Sequence, residues 1–224
     1  MTTEIIMVRP KVRIPQPKML TYDDYVRLTP PDSGNYELHN GKIIYIATPI
    51  PQQQIFSDNL TTNLTVYLRK NKKGRVISAP MDTVFTPYDT LQPDILFLGT
   101  DRLHLIGNKK IEGAPDLVVE ILSPSNSAKE MGYKKLVYEM SNVREYWVVN
   151  LVKKTLTQYE NVEGEFMMRR VFQEKDTLTS LVIEGFETKM SDLFEWLYDV
   201  DTHSRVYLRF RPLSILSKNK QKGQ

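Results

Sequence analysis

Residues Pro115–Leu122, with the sequence PDLVVEIL, form a dense apolar segment around which the fold can be predicted. Five of the six residues in LVVEIL are apolar, which is typical of a central strand covered on both faces. Glu120 interrupts the run, although a carboxylate in a central strand is costly to desolvate unless it is paired or binds a cation. We therefore expect a functional role for Glu120, with a purely structural ion pair as the alternative.

A second apolar strand, DILFLG, begins with Asp94 directly after Gln92-Pro93. If this strand lies beside PDLVVEIL, Asp94 and Glu120 can converge on one hard divalent cation, because Mg²⁺ prefers oxygen ligands. Such a cation can orient a water molecule and neutralise charge on a phosphate. The alternative is that Asp94 only shapes the strand start after the proline.

The helix predicted over Ser127–Met140 follows the acidic strand and carries the third candidate group. Ser127-x-x-Glu130 fits a capping box, so Glu130 is more readily a capping residue than a ligand. Lys134 lies one turn after Glu130, and Tyr138 lies one turn further along the same stripe. We expect Lys134 to reach the sheet edge, where an ammonium could position a nucleophile or stabilise developing charge. A solvated helix face is the alternative.

Helical and strand patterns alternate along the remaining chain. We predict helices over Thr21–Leu28, Ile55–Lys70 (ended by Gly74) and Met190–Leu197 (capped by Ser191), hairpins around Asn40-Gly41 and Glu163-Gly164, and strands in RVISA, DTVFT and YWVVN. This order indicates an α/β fold of the mixed α+β kind, with a central mixed β-sheet flanked by helices. YWVVN follows a helix closely, as expected for a crossover unit.

The composition excludes several classes of protein and site. The chain has 224 residues, with 41% hydrophobic and 25% charged residues, which are globular values. The absence of cysteine excludes disulfide scaffolds, thiolate zinc sites, iron–sulfur clusters and cysteine nucleophiles. No apolar run approaches the roughly 20 residues of a membrane span, and the N-terminus lacks a secretory signal. We expect a soluble cytoplasmic protein without membrane association.

The charge is concentrated at the two ends of the chain. The net charge is +3, and residues 203–224 contain six basic residues and no acid. We predict a basic arm over residues 1–18, one domain over 19–197 and a basic extension over 198–224. Within the extension, Arg205, Arg209 and Arg211 are candidates for nucleic-acid binding, since basic segments track phosphates. A solvated tail that aids solubility is the alternative.

The segments that contain Asp94, Glu120 and Lys134 resemble those of a known family. APDLVVEILSPSN (Ala114–Asn126) and EMGYKKLVYEMSNVREYWVVN (Glu130–Asn150) resemble the Uma-two family of bacterial endonucleases, in the restriction-endonuclease-like superfamily named for its PD-(D/E)xK motif. Segments Leu20–Leu28, Tyr36–Ile43 and Leu91–Leu98 are similar to the same family in the same order. The resemblance covers about residues 19–197 and implies a mixed sheet with the αβββαβ core of the superfamily.

The resemblance also implies site residues. The two acids of the motif fall on Asp94 and Glu120, and Leu122 stands where the motif lysine is expected. A lysine on the next helix is thought to substitute in this family, and it falls on Lys134. Members of the family often have an aspartate at the position that Glu130 occupies in this chain.

Further positions follow from the same resemblance. Glu37 matches an acid of the family's YEL segment that helps to bind metal, and Tyr138 matches a tyrosine of related nucleases. One departure is the stretch Pro51–Gln54, where the family often has a histidine before the first long helix.

Taken together, these features predict a Mg²⁺-dependent endonuclease acting on DNA, with Mn²⁺ as an alternative metal. Asp94, Glu120 and Lys134 are the expected catalytic residues, and Glu37 is the expected additional metal ligand. Two alternative functions stay open. The first is a nucleic-acid-binding module without cleavage activity, which is consistent with Leu122 at the position of the motif lysine. The second is a partner-binding protein, such as a homodimer that forms through an exposed strand.

Overall fold

The computed structural model describes residues 18–30, 36–122, 128–195 and 197. The helices in this part of the chain are α1 Tyr22–Leu28, α2 Pro51–Asn71, α3 Ala128–Met140 and α4 Met190–Leu193. A short 3₁₀ helix spans Thr100–Leu105. The strands are β1 Tyr36–His39, β2 Lys42–Tyr45, β3 Arg75–Ser78, β4 Thr83–Thr86, β5 Asp89–Leu91, β6 Ile95–Leu98, β7 Ile111–Glu112, β8 Leu117–Leu122, β9 Glu145–Asn150, β10 Thr155–Val162, β11 Glu165–Gln173, β12 Thr177–Thr179 and β13 Glu187–Lys189.

A six-stranded mixed sheet forms the centre of the fold, in the order β11-β10-β9-β8-β6-β3. Strands β8 and β9 are parallel and are joined through α3, whereas the other neighbouring pairs are antiparallel. The predicted mixed sheet with a helical crossover is therefore confirmed, and β6 and β8 occupy interior positions. A second, five-stranded sheet has the order β2-β1-β5-β4-β7, and β12 pairs with β13.

Strand β8 is apolar because it is buried on both faces. Leu117, Val119 and Ile121 pack into a core that also contains the apolar residues of α2. Val118 points to the opposite face, into a smaller core that includes Tyr138 of α3. Because side chains alternate along a strand, Glu120 shares the α3 face with Val118. The dense apolar pattern thus places the one acid of this strand beneath α3.

Helix α2 covers the larger core with a stripe of buried residues at four-residue steps, namely Phe56, Leu60, Leu64 and Leu68. It begins at Pro51, earlier than the predicted Ile55, since proline suits a first turn and Gln53 accepts a hydrogen bond from the Ile50 amide. The helix ends at Asn71, before the predicted stop at Gly74.

Gly74 has a different role from the predicted helix stop. Lys72 takes the left-handed conformation after the helix, with φ of 54°. Gly74 has φ of 131°, and a Cβ there would lie 2.1 Å from the Leu98 carbonyl oxygen. The glycine therefore allows the chain to approach β6 closely.

Two hairpins have the predicted turns. Asn40 and Gly41 both have positive φ, 47° and 68°, and join β1 to β2. Glu163 and Gly164, with φ of 54° and 90°, join β10 to β11 in the same way. These turn residues fix the register on both hairpins.

Some local predictions were wrong or incomplete. Helix α4 begins at Met190 after Lys189, so Ser191 lies inside the helix and is not its cap. At the start of the chain, Thr21 caps α1 in a capping box with Asp24, as predicted for the cap. Strands β5, β7, β12 and β13 were not predicted, because each has only two or three residues and no readable period.

Residues 1–17 and 198–224 lie outside the described part of the chain, so the predicted arms and the proposed contacts of Arg205, Arg209 and Arg211 stay predictions. None of the helices in the described segments is both long and apolar enough to cross a membrane.

We predict that Leu64→Ala lowers the free energy of unfolding by about 2–5 kcal/mol, because it leaves a cavity where a fully buried side chain packs. Val66→Ala is the matched control, since Val66 is on the same helix but 65% exposed, and should change stability by less than about 0.5 kcal/mol. Urea unfolding measures both. Similar effects of the two variants would contradict the assigned packing face.

Candidate active site

The candidate site lies where the β6–β8 ladder ends. Ile95 pairs with Val119 across these antiparallel strands, and extending the register by one residue brings Asp94 opposite Glu120. Strand β6 starts only at Ile95, so a side chain replaces the backbone partner: Asp94 Oδ2 accepts a hydrogen bond from the Ile121 amide at 2.6 Å. The two acids thus meet at the edge of a broken ladder.

Gln53 completes this broken ladder from α2. Its Nε2 donates to the Ile121 carbonyl oxygen at 2.7 Å, and the bond is buried. The backbone N–H and C=O groups of Ile121 are therefore both hydrogen-bonded to side chains, of Asp94 and of Gln53 respectively. The first turn of α2, which lacks the histidine of the resembled family, has a glutamine that holds the strand beside Glu120.

Glu120 is held from above by α3. Lys134 Nζ lies 3.3 Å and 3.4 Å from the two carboxylate oxygens of Glu120. Tyr138, one turn further along the helix, donates its hydroxyl to Glu120 Oε1 at 2.5 Å. All three side chains are buried. The predicted stripe of α3 therefore faces the sheet rather than solvent.

A third carboxylate reaches the same ammonium from the second sheet. Glu37 of β1 is fully buried, and its Oε1 lies 2.9 Å from Lys134 Nζ. The same oxygen accepts a hydrogen bond from the Gln92 amide at 2.8 Å, and Oε2 lies 2.7 Å from His39 Nε2. Glu37 was predicted as a metal ligand; in the structure both of its oxygens already contact donors.

The cluster contains more negative than positive charge. Three carboxylates face one ammonium, and burial raises the pKa of Asp94 to about 6 and that of Glu120 to about 8, the latter also because of the nearby charge of Asp94. Burial acts in the same direction on Glu37, but Lys134 and the hydrogen bonds from His39 and Gln92 hold its pKa below the usual value. The single ammonium of Lys134 therefore only partly offsets the burial of the Asp94–Glu120 pair.

Lys134 and Tyr138 keep their protons. Burial acts to lower the pKa of Lys134, but the charges of Glu120 and Glu37 outweigh burial and raise it. Burial and the charge of Glu120 raise the pKa of the Tyr138 hydroxyl. At neutral pH Lys134 is a fixed cation and Tyr138 a fixed donor.

The donor chemistry of the pair fits a hard divalent cation. Within the described residues, no three His, Asp or Glu side chains form a metal-binding group. An ion here would therefore take ligands from Asp94 and Glu120 and fill its remaining positions with water or phosphate oxygens, which is how Mg²⁺ is commonly held.

Glu130 and Leu122 lie at the margins of this cluster. Glu130 is in the first turn of α3 and is half-buried, and its predicted capping partner Ser127 falls outside the described residues. Leu122 is two residues beyond Glu120 on the same strand, so it shares the face of Glu120.

Sequence reasoning missed several partners. His39 could have been found, because it lies two residues from Glu37 and so on the same face of a strand. Gln92 contributes through its backbone amide, which no side-chain pattern reveals. Gln53 was noted only as a departure from the family.

We predict that metal-free protein becomes less stable as the pH rises from about 5 to about 8.5. The pKa of Glu120 is near its ordinary value of 4.5 when the chain is unfolded and about 8 when it is folded. Its contribution to stability is therefore complete below pH 4.5 and is lost as the pH passes through about 8.

Glu120→Gln removes this ionisation, so the melting temperature of the wild type should fall relative to that of the variant as the pH rises from about 5 to about 8.5. Each kcal/mol of unfolding free energy that is lost corresponds to a fall of about 2–4 °C. Thermal denaturation with a chelator present measures the difference. Parallel profiles for the two proteins would show that Glu120 does not titrate in this way.

Comparison with known proteins places the chain in a family. The Uma2 family, described as "Putative restriction endonuclease", matches residues 22–191. A solved structure, a putative nuclease belonging to DUF820 from Anabaena variabilis ATCC 29413, is similar with a TM-score of 0.66 and 22% sequence identity, covering 79% of this chain and 98% of that chain. No curated protein matches. At this identity the structural likeness shows the restriction-endonuclease-like fold, and the family match shows that the chain belongs to the Uma2 family.

Proposed function

We propose that the protein is a divalent-metal-dependent endonuclease that hydrolyses phosphodiester bonds in DNA. Membership of the Uma2 family supports a nuclease function. The observation that carries the proposal is the meeting of Asp94, Glu120 and Lys134 at the end of the β6–β8 ladder.

Asp94 and Glu120 are the proposed ligands of Mg²⁺, with Mn²⁺ as a substitute. Their raised pKa values reflect burial that only one ammonium partly offsets, so a divalent cation would favour the ionised form of both. When bound, such an ion supplies Lewis-acid stabilisation of a phosphate and lowers the pKa of a water ligand. Asp94 is the more exposed of the two acids, so the substrate would approach from its side.

Lys134 is the proposed partner of the scissile phosphate. As a fixed cation it can contact a phosphate oxygen or orient the attacking water, and its raised pKa argues against a role as general base. Tyr138 keeps Glu120 in position by donating to Oε1. Both residues come from one stripe of α3, so the helix positions them together.

The position of Lys134 bears on the rival of a binding module without cleavage. A lysine at position 122 would share the strand face of Glu120, and here that residue is Leu122. The ammonium of Lys134 instead reaches Glu120 from above, at 3.3 Å. This contact favours the enzyme over the module that only binds.

DNA is the proposed partner. Arg205, Arg209 and Arg211 are proposed to contact phosphates without reading the base sequence, as basic segments do. A homodimer stays a prediction.

Nicking of supercoiled plasmid in the presence of Mg²⁺ or Mn²⁺ tests the proposal. We expect wild-type protein to nick the plasmid, chelation to stop the reaction, and Asp94→Asn, Glu120→Gln and Lys134→Met each to lower the rate at least about 100-fold, since each removes a charge at the reacting phosphate.

Lys135→Met is the matched control for Lys134→Met. Lys135 is the next residue on α3, where its ammonium lies over the ring of Tyr159, so this variant should retain the wild-type rate. Circular dichroism establishes that each variant is folded. Salt-dependent DNA binding without nicking would favour the binding module, and cleavage that survives Asp94→Asn and Glu120→Gln would refute the site.

A further inference from the structure

Lys134 is drawn toward two carboxylates on different sheets. Its ammonium is closer to Glu37 Oε1, at 2.9 Å, than to either oxygen of Glu120, at 3.3 Å and 3.4 Å. Glu37 therefore competes with Glu120 for this cation. Without Glu37, the ammonium would have one anchor instead of two and could shift from the position in which it is proposed to meet a phosphate oxygen.

Glu37 can compete because it is rigidly held. It is fully buried, and the Gln92 amide and His39 Nε2 contact its two oxygens at 2.8 Å and 2.7 Å. Because an ionised carboxylate only accepts hydrogen bonds, His39 must carry a proton on Nε2. The position of Glu37 thus depends on the imidazole of His39.

His39 is in turn fixed against the helix that carries the lysine. Its ring stacks on Tyr133, the residue before Lys134, with a centroid distance of 4.7 Å and an interplanar angle of 15°. The Tyr133 hydroxyl donates to Asp89 Oδ1, which also accepts the Asn40 amide at 2.8 Å. The β1–β2 hairpin and α3 are therefore joined twice, once by the ion pair and once by the stacked rings.

We propose that Glu37 and His39 are positioning residues that hold Lys134 partly away from Glu120. The stacking of His39 on Tyr133 fixes the hairpin against α3 and so keeps Glu37 in place. This inference rests on the proposed function of the same site, and it assigns Glu37 to the lysine rather than to the metal. The hairpin then sets the geometry of the site without touching metal or phosphate.

Cleavage kinetics separate this role from metal binding. His39→Leu and Tyr133→Leu should lower kcat about 10- to 100-fold, because a displacement on the order of 1 Å costs that much, while the Mg²⁺ concentration for half-maximal rate changes less than about threefold. His39→Gln, which can still donate to Glu37, and Tyr133→Phe, which keeps the ring, should stay within about fivefold of wild type. A shift in Mg²⁺ dependence without a fall in kcat would overturn the proposal.

A double-variant cycle tests whether the effect passes through Lys134. In the Lys134→Met background, His39→Leu should have no further effect on the residual rate, because the group it positions is gone. An undiminished effect of His39→Leu in that background would show that the histidine acts elsewhere.

Lysine acetylation gives a measurement that does not need cleavage. With acetic anhydride and mass spectrometry, Lys134 should react at least about tenfold more slowly than Lys135 in the wild type, since it is buried and paired. His39→Leu should raise the Lys134 rate several-fold and leave that of Lys135 unchanged. If the wild type cleaves no DNA, this ratio still decides the positioning role, and an unchanged Lys134 rate in His39→Leu would overturn it.

Discussion

The Lys134 ammonium, shared between Glu37 and Glu120, is the interaction on which the site depends. It is buried, and it joins three parts of the fold: the helix α3, the strand β8 of the central sheet and the strand β1 of the second sheet. Removing one partner of a buried ion pair commonly costs about 3–5 kcal/mol, because the remaining charge loses its compensation. The same three-part contact therefore supports the fold and sets the charge of the site.

The topology explains why the acids meet at this point. Strands β6 and β8 are neighbours, but β6 begins at Ile95, opposite Val119, so the last three residues of β8 have no partner in β6. Asp94 and Gln53 satisfy the Ile121 peptide groups instead, at 2.6 Å and 2.7 Å. The β6–β8 ladder therefore ends early, and Asp94 and Glu120 lie at its end. The crossover through α3 places the ammonium of Lys134 over these two carboxylates.

Part of this site could be predicted from the sequence because its signals are local. Two apolar strands that each carry an acid indicated that the carboxylates converge if the strands are neighbours. The i, i+4 spacing on α3 placed Lys134 and Tyr138 on one stripe, from which Lys134 was expected to reach the sheet edge. The contribution of Glu37 was expected only from the family resemblance. Its coupling to Lys134 spans the two sheets, and no periodicity encodes such a long-range contact.

The missed features have different physical causes. Strands β5 and β7 have three and two residues, too few to show an alternation. The proximity of His39 to Glu37 follows from their two-residue spacing on one strand, but the stacking of His39 on Tyr133 is a long-range contact that no local pattern encodes. The early start of α2 was concealed by Pro51, which reads as a strand breaker but also suits the first turn of a helix.

We propose that Asp94 and Glu120 share one divalent cation beneath Lys134. The most direct measurement is the anomalous diffraction of crystals soaked in Mn²⁺. We expect a single strong peak within roughly 2.0–2.5 Å of oxygens from both carboxylates. An ordered Mn²⁺ bound elsewhere, with this pair empty at a concentration that supports cleavage, would contradict the claim.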